Sequence, residues 1–147
     1  MSLLSSLCLA GCFVLLGVKR VCSIKRNTYT LYEILSFIST VKNNIRFSNM
    51  SYENLIEEAK KEDYKYINFN ENITASCYVD KKVKADFTCF VNKIGTTDET
   101  GQLALCDEYT EKFKRYYNES VSGEKSRVNV VGAICILSVV CSLLLGV

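Results

Sequence analysis

The side chains that could do chemistry lie in the middle of this 147-residue chain. Carboxylates come in adjacent pairs, Glu57-Glu58 and Glu62-Asp63. General acid–base work needs two such groups with separated pKa values, one protonated and one ionised. Lys60, Lys61 and Lys65 are interleaved with them. On a helix surface that mixture reads as a solvated face with i, i+4 pairing, not as a paired-carboxylate site. Cys77, Cys89 and Cys106 stand in the same region, but no CxxC occurs and the chain has no His. A zinc site would lack its usual ligands, and His-dependent acid–base chemistry is excluded. Three thiols cannot pair completely, so they read as reduced core cysteines, with one disulfide plus a spare thiol as the alternative. Tyr64, Tyr66, Tyr109, Tyr116 and Tyr117 read as core edge or interface. No P-loop, G-x-G-x-x-G or nucleophile elbow is present. The expectation is a protein that is not an enzyme, with no catalytic residue, metal or cofactor.

The elements that would position any site are dictated by charge. All 18 basic and 16 acidic residues lie between Lys19 and Arg127. Outside that window stand two apolar runs, Leu3–Val18 and Val128–Val147. The second is about 20 residues long, about 30 Å as a helix, which matches the hydrocarbon core of a bilayer. The first is shorter and reads either as a membrane helix or as the apolar core of a cleaved signal peptide. A signal peptide wants basic residues before its apolar core, whereas here Lys19, Arg20, Lys25 and Arg26 follow it. Lys125 and Arg127 precede the second run. Both inner flanks are basic, so the positive-inside rule puts the middle in the cytoplasm and both ends outside. The expected organisation is a transmembrane helix at 1–18, a cytoplasmic α-helical domain at 19–127 and a second transmembrane helix at 128–147. Gly11, Gly17, Gly132 and Ala133 would let the two spans approach closely, or are ordinary membrane-helix residues. A net charge of +2 gives no argument for nucleic-acid binding.

Within the middle, Leu31, Ile34, Leu35, Ile38, Val41 and Ile45 follow the i, i+3, i+4, i+7 pattern of a one-faced helix continuing from the first span. Asn27, Thr28 and Thr30 lower helix propensity, which leaves room for a kink there or for a helix that runs straight through. Ser51 is a good N-cap for a short helix bearing Tyr52, Leu55, Ile56 and Ala59. Residues 62–72 read as loop, and Ile73–Lys82 and Asp86–Ile94 as helices. Gly95 then supplies a C-cap and Thr97 an N-cap. Leu103, Cys106, Thr110, Phe113 and Tyr117 form a heptad-like stripe. Gly123 is either a hinge or a plain helical position. No period-two strand pattern is convincing, so the fold class is all-α: an antiparallel helical bundle flanked by N-terminal and C-terminal transmembrane helices.

The segment Ile94–Phe113, IGTTDETGQLALCDEYTEKF, resembles stage III sporulation protein AB of endospore-forming bacteria. That family carries an L-G-x-[ST]-D-x-x-x-Q stretch before an amphipathic helix. Gly95, Thr97, Asp98 and Gln102 fill those places, with Ile94 for the Leu. The closing apolar helix and the short opening one also fit. The family's Glu before Ile-x-Tyr is replaced by Asn44-Ile45-Arg46-Phe47, and Met50-Ser51-Tyr52 stands where a Pro often opens the next helix. The resemblance implies a structural adaptor of the mother cell–forespore complex, akin to the platform protein of type II secretion machines. It would sit in the mother-cell membrane with its helical domain facing a sporulation ATPase. Its partners would be that ATPase, other membrane proteins of the complex, the membrane and further copies of itself. The alternative is a secreted or surface helical glycoprotein with a cleaved signal peptide and a C-terminal anchor signal. Its support is three sequons, Asn49-Met50-Ser51, Asn72-Ile73-Thr74 and Asn118-Glu119-Ser120.

Overall fold

The computed structural model describes residues 3–48, 52–70 and 72–146, without the side chains of residues 3–7, 9, 48, 52–53, 143 and 145–146. Among these residues are α1 (Leu3–Ser48), α2 (Tyr52–Lys60), β1 (Ile67–Phe69), β2 (Ile73–Ala75), α3 (Lys81–Lys93) and α4 (Glu99–Gly146). The chain is thus mostly helical, in the all-α class. It divides into two compact units, Asn27–Ser120 and Met1–Arg26 with Val121–Val147, and both long helices contribute to each. The basic flanks therefore group with the apolar runs.

In Asn27–Ser120, the expected face of α1 is the buried one: Leu31, Ile34, Ile38, Val41 and Ile45 are withdrawn from solvent. Phe37, fully buried, widens it. No break occurs at Asn27, Thr28 or Thr30, all of which are helical. The Asn27 amide donates to Ser120 Oγ at 3.0 Å, and the Thr28 and Ser120 hydroxyls share a bond at 2.9 Å. Side chains that would otherwise compete for their own backbone find partners on α4 instead. Leu55, Ile56 and Ala59 of α2 are buried as the spacing predicts. The Ser51 N-cap lies outside the described residues.

The segment 62–82 departs from expectation. Residues 67–69 and 73–75 form an antiparallel hairpin with Ile67 opposite Ala75, Asn68 opposite Thr74 and Phe69 opposite Ile73. The helix expected over Ile73–Lys82 begins only at Lys81. Ile67 and Ala75 are buried while Asn68 and Thr74 are exposed, so period two does operate. Strands of three residues are too short to announce it. The Asn70 N–H donates to Asn68 Oδ1 at 3.3 Å, an Asx contact that starts the turn. Glu33 on α1 fixes the approach, its carboxylate accepting the backbone N–H groups of Lys65 (3.1 Å) and Tyr66 (2.6 Å).

In the other unit, α1 and α4 run antiparallel. The Cys135 thiol points to the Phe13 carbonyl at 3.7 Å. Gly17 is buried there, and a Cβ at that position would overlap Cys135 Sγ. Close approach therefore depends on Gly17. Gly11 and Gly132 have open space where a Cβ would stand, and Ala133 is exposed, so of the four small residues it is Gly17 that sits at a close contact. Gly123 is a plain helical position, since α4 passes through it unbroken. Among the described residues, one helix is long and apolar enough to cross a membrane: Glu99–Ser142, with a window of mean hydropathy 1.4 of which 6% is buried. The N-terminal apolar run falls partly outside the described side chains.

Replacing Phe37 by Ala is expected to lower the unfolding free energy of the full chain by about 3–5 kcal/mol. Phe47→Ala, at a ring 77% exposed, is expected to change it by less than about 0.5 kcal/mol. Urea denaturation followed by circular dichroism at 222 nm measures both.

Candidate functional site

Gly95, Thr97 and Asp98 lie in the exposed turn between α3 and α4, and Gln102, half-buried, lies in the first turn of α4. Backbone N–H of Ile94 reaches Phe90 and Val91 carbonyls, each at 3.2 Å, closing α3. Gly95 follows with φ 81°, a left-handed conformation in which a Cβ is strained. Asp98, not Thr97, is the N-cap of α4. Its carbonyl accepts the Gln102 N–H at 2.9 Å and its Oδ1 the Gly101 N–H at 3.1 Å. A shorter carboxylate satisfies the third-position donor well, and Thr97 sits one residue too early. The Thr100 hydroxyl donates to Asp98 Oδ2 at 2.6 Å, and the Gln102 amide to the Thr97 carbonyl at 2.9 Å. The Thr100 and Gly101 bonds hold the Asp98 carboxyl below its ordinary range. A Cβ on Gly101 would meet Asp98 Oδ1 at 2.8 Å, so glycine keeps the cap clear.

The six basic flank residues, Lys19, Arg20, Lys25, Arg26, Lys125 and Arg127, are all exposed. Lys25 and Lys125, from opposite ends of the sequence, line one cleft. Arg20 lines a different one, with Phe13 and Ser138.

The acidic pairs are surface pairing. Glu58 meets Lys61, and Glu62 accepts the Thr40 hydroxyl at 3.0 Å and the Tyr64 hydroxyl at 2.5 Å. Among the described residues, no group of three or more His, Cys, Asp or Glu side chains could hold a metal ion. All eight cysteines are free. Cys106 is buried as expected of a core thiol, and burial pushes it up to about 11, with Asp107 adding to the effect. Cys77 and Cys89 are exposed, which corrects their reading as core residues: they fall on the solvent side of their segments. Tyr109 is buried, while Tyr64, Tyr66, Tyr116 and Tyr117 are half-buried.

One polar cluster was not legible. Asp86 on α3 accepts from Lys112 Nζ (2.7 Å) and the Tyr116 hydroxyl (2.7 Å) on α4. Burial opposes its charge, but the Lys112 and Tyr116 bonds outweigh it and hold the carboxyl below its ordinary range. Burial, then the Asp86 bond, push Tyr116 up to about 12. The only available signal was adjacency: Asp86 precedes Phe87, and Lys112 precedes Phe113.

No family model matches the chain, and no curated protein or solved structure does either.

Asp86 carries a pH prediction. Its native carboxyl is depressed, so its stabilisation is complete above the ordinary carboxylate range and is lost as pH falls through and below about 4. Asp86→Asn is expected to lower stability at pH 7 by about 1–3 kcal/mol and to flatten the acid limb. Thermal unfolding of both proteins between pH 2 and 7 checks the sign.

Proposed function

We propose that the chain is a membrane-anchored structural adaptor rather than a catalyst. One observation carries this: the apolar window of α4 is 6% buried, so its large side chains face outward. Ile136, Leu137 and Leu144 are 67%, 67% and 73% exposed. Side chains of that kind in a continuous stretch belong in hydrocarbon or against a partner, not in water. Leu15 and Leu16 on α1 are exposed in the same manner, which supports a second span. The basic residues that flank the inner end of each apolar run support a cytoplasmic middle domain.

The finer reading is a component of the mother cell–forespore sporulation complex that docks a cytoplasmic ATPase. It rests on the likeness of Gly95, Thr97, Asp98 and Gln102 to the stage III sporulation protein AB pattern, and on the polar domain set between two apolar ends. The second reading, a surface glycoprotein, has one observation of its own. Asn72 and Thr74 are exposed at the hairpin, as an acceptor sequon requires. At the Asn118 sequon, by contrast, Ser120 is buried within α4 and bonded to Asn27 and Thr28. The Asn49 sequon includes residues outside the described ones.

The expected outcome is that alkaline carbonate leaves the protein in the membrane pellet. Cys77 and Cys89, both exposed, should resist a membrane-impermeant maleimide in intact cells and react once the membrane is permeabilised. Labelling in intact cells, or a glycosidase-sensitive mass at Asn72, would favour the glycoprotein. Affinity capture with the full chain should recover a secretion-type ATPase; its consistent absence removes the sporulation reading.

A further inference from the structure

The unit formed by Met1–Arg26 and Val121–Val147 has a one-sided charge. Lys19, Arg20, Lys25, Arg26, Lys125 and Arg127 stand against Glu124 alone, whereas acidic residues outnumber basic ones in Asn27–Ser120. Two of these cations converge. Lys25 of α1 and Lys125 of α4 line a cleft of about 380 Å³, with Asn129 and Glu124 at its side and Val121 and Val128 as its apolar wall. Lys25 and Lys125 have no ion-pair partner among the described residues, while Glu124 has an interaction of its own.

A second cleft of about 380 Å³, almost wholly apolar, lies on the same two helices. Val18, Val21 and Cys22 line it from α1, and Val131, Gly132 and Ile136 from α4. The two clefts are consecutive along one face. Val18, Cys22 and Lys25 recur at i, i+4 and i+7, and Lys125, Asn129, Gly132 and Ile136 at i, i+4, i+7 and i+11. Cys22 is therefore one turn from Lys25, and Gly132 one turn from Asn129. The apolar groove continues towards the middle of the apolar runs, and the cationic cleft marks their polar end. Gly132 keeps the groove open, since nothing stands within 4 Å of where its Cβ would be.

A surface that is cationic for one turn and then apolar for three has the polarity sequence of an anionic phospholipid. Lysine ammonium groups bind phosphate as point charges, and anionic leaflets draw basic residues near the membrane surface. We propose that this face binds one anionic phospholipid, with its phosphate between Lys25 and Lys125 and an acyl chain along the groove at Gly132. The proposal rests on the membrane reading above and adds to it a ligand, a stoichiometry and two named lysines.

The test uses the full chain, extracted in mild detergent and examined by native mass spectrometry with added phosphatidylglycerol or phosphatidylcholine. One phosphatidylglycerol per chain should be retained about tenfold or more in preference to phosphatidylcholine. Lys25→Gln with Lys125→Gln should abolish the preference, while Lys19→Gln with Arg127→Gln, the same charge change outside the cleft, should keep it. Gly132→Leu should lose retention of both lipids with helicity unchanged. Equal retention of the two lipids, equal loss in the control pair, unchanged retention in Gly132→Leu, or a lipid-free dimer each overturns the site. Release of the wild-type chain by alkaline carbonate overturns the membrane reading and the site together. Membrane retention without a phosphatidylglycerol preference overturns the site alone.

Discussion

The packing of Asn27–Ser120 depends on the ring of Phe37. It is fully buried, with Tyr64, Phe69, Phe87 and Phe90 around it at centroid distances of 6.2, 5.9, 5.7 and 6.4 Å. Three of the four contacts are edge-on, the arrangement that aromatic quadrupoles favour. One side chain of α1 thus locates the loop after α2, the hairpin and α3. The chain of contacts passes on from Phe87 to Phe113 at 6.4 Å and from Phe90 to Tyr109 at 5.2 Å, which brings in α4. The Asp86–Lys112–Tyr116 cluster follows from it. Phe87 and Phe113 are inward neighbours, so Asp86 and Lys112, each one residue earlier, meet at the rim of the same contact. There a charge pair is partly shielded and still hydrated, which avoids the full cost of burying ions.

The unit formed by the chain's two ends obeys the opposite rule. Among its described side chains, Leu15, Leu16, Ile136 and Leu137 are exposed, while Gly17 is buried against Cys135 where its two helices meet. At Gly17 the backbone lies against Cys135, and any Cβ there would overlap the sulfur. Among apolar surroundings, no hydrophobic drive pushes two helices together, so close van der Waals contact must supply the attraction. In a bilayer, as proposed above, a glycine at the helix contact and leucines facing away would both follow from that one constraint. The same α1 and α4 helices bury aromatic rings over one stretch and expose leucines over another, and composition alone marks where the change occurs.

The long periodic elements were legible because their signal is repeated. Five positions of α1, and Phe87, Phe90, Val91 and Ile94 at α3, are buried where their spacing places them. Phe37 escaped notice although it lies three residues after Ile34, because it sits at the edge of the stripe and not on its axis. The hairpin escaped because three-residue strands contain one full alternation, and Ile73-Thr74-Ala75 suits a helix pattern equally well. What decided between them was distant in sequence: Glu33 holds the backbone of Lys65 and Tyr66, and Phe69 packs on Phe37. The Asp86 cluster and the Lys25–Lys125 cleft share that property. Each joins residues far apart in the chain, and periodicity within one element carries no information about such pairs.

The turn at Gly95 shows how a motif and a function come apart. Gly95 is required by a φ of 81°, Asp98 by the open N–H groups of α4, Gly101 by the space its cap needs, and Gln102 by the Thr97 carbonyl it caps. Each residue type answers a local stereochemical demand of one helix-to-helix corner. A likeness in these positions is therefore a likeness of corners, and it bears on function only through the fold that the corner helps to build. Functional weight falls instead on features that the fold does not use internally. Apolar side chains turned outward along α4 are one such feature, and Lys25 and Lys125, which line one cleft and have no ion-pair partner among the described residues, are another. A membrane with an anionic surface, as proposed above, would account for both at once.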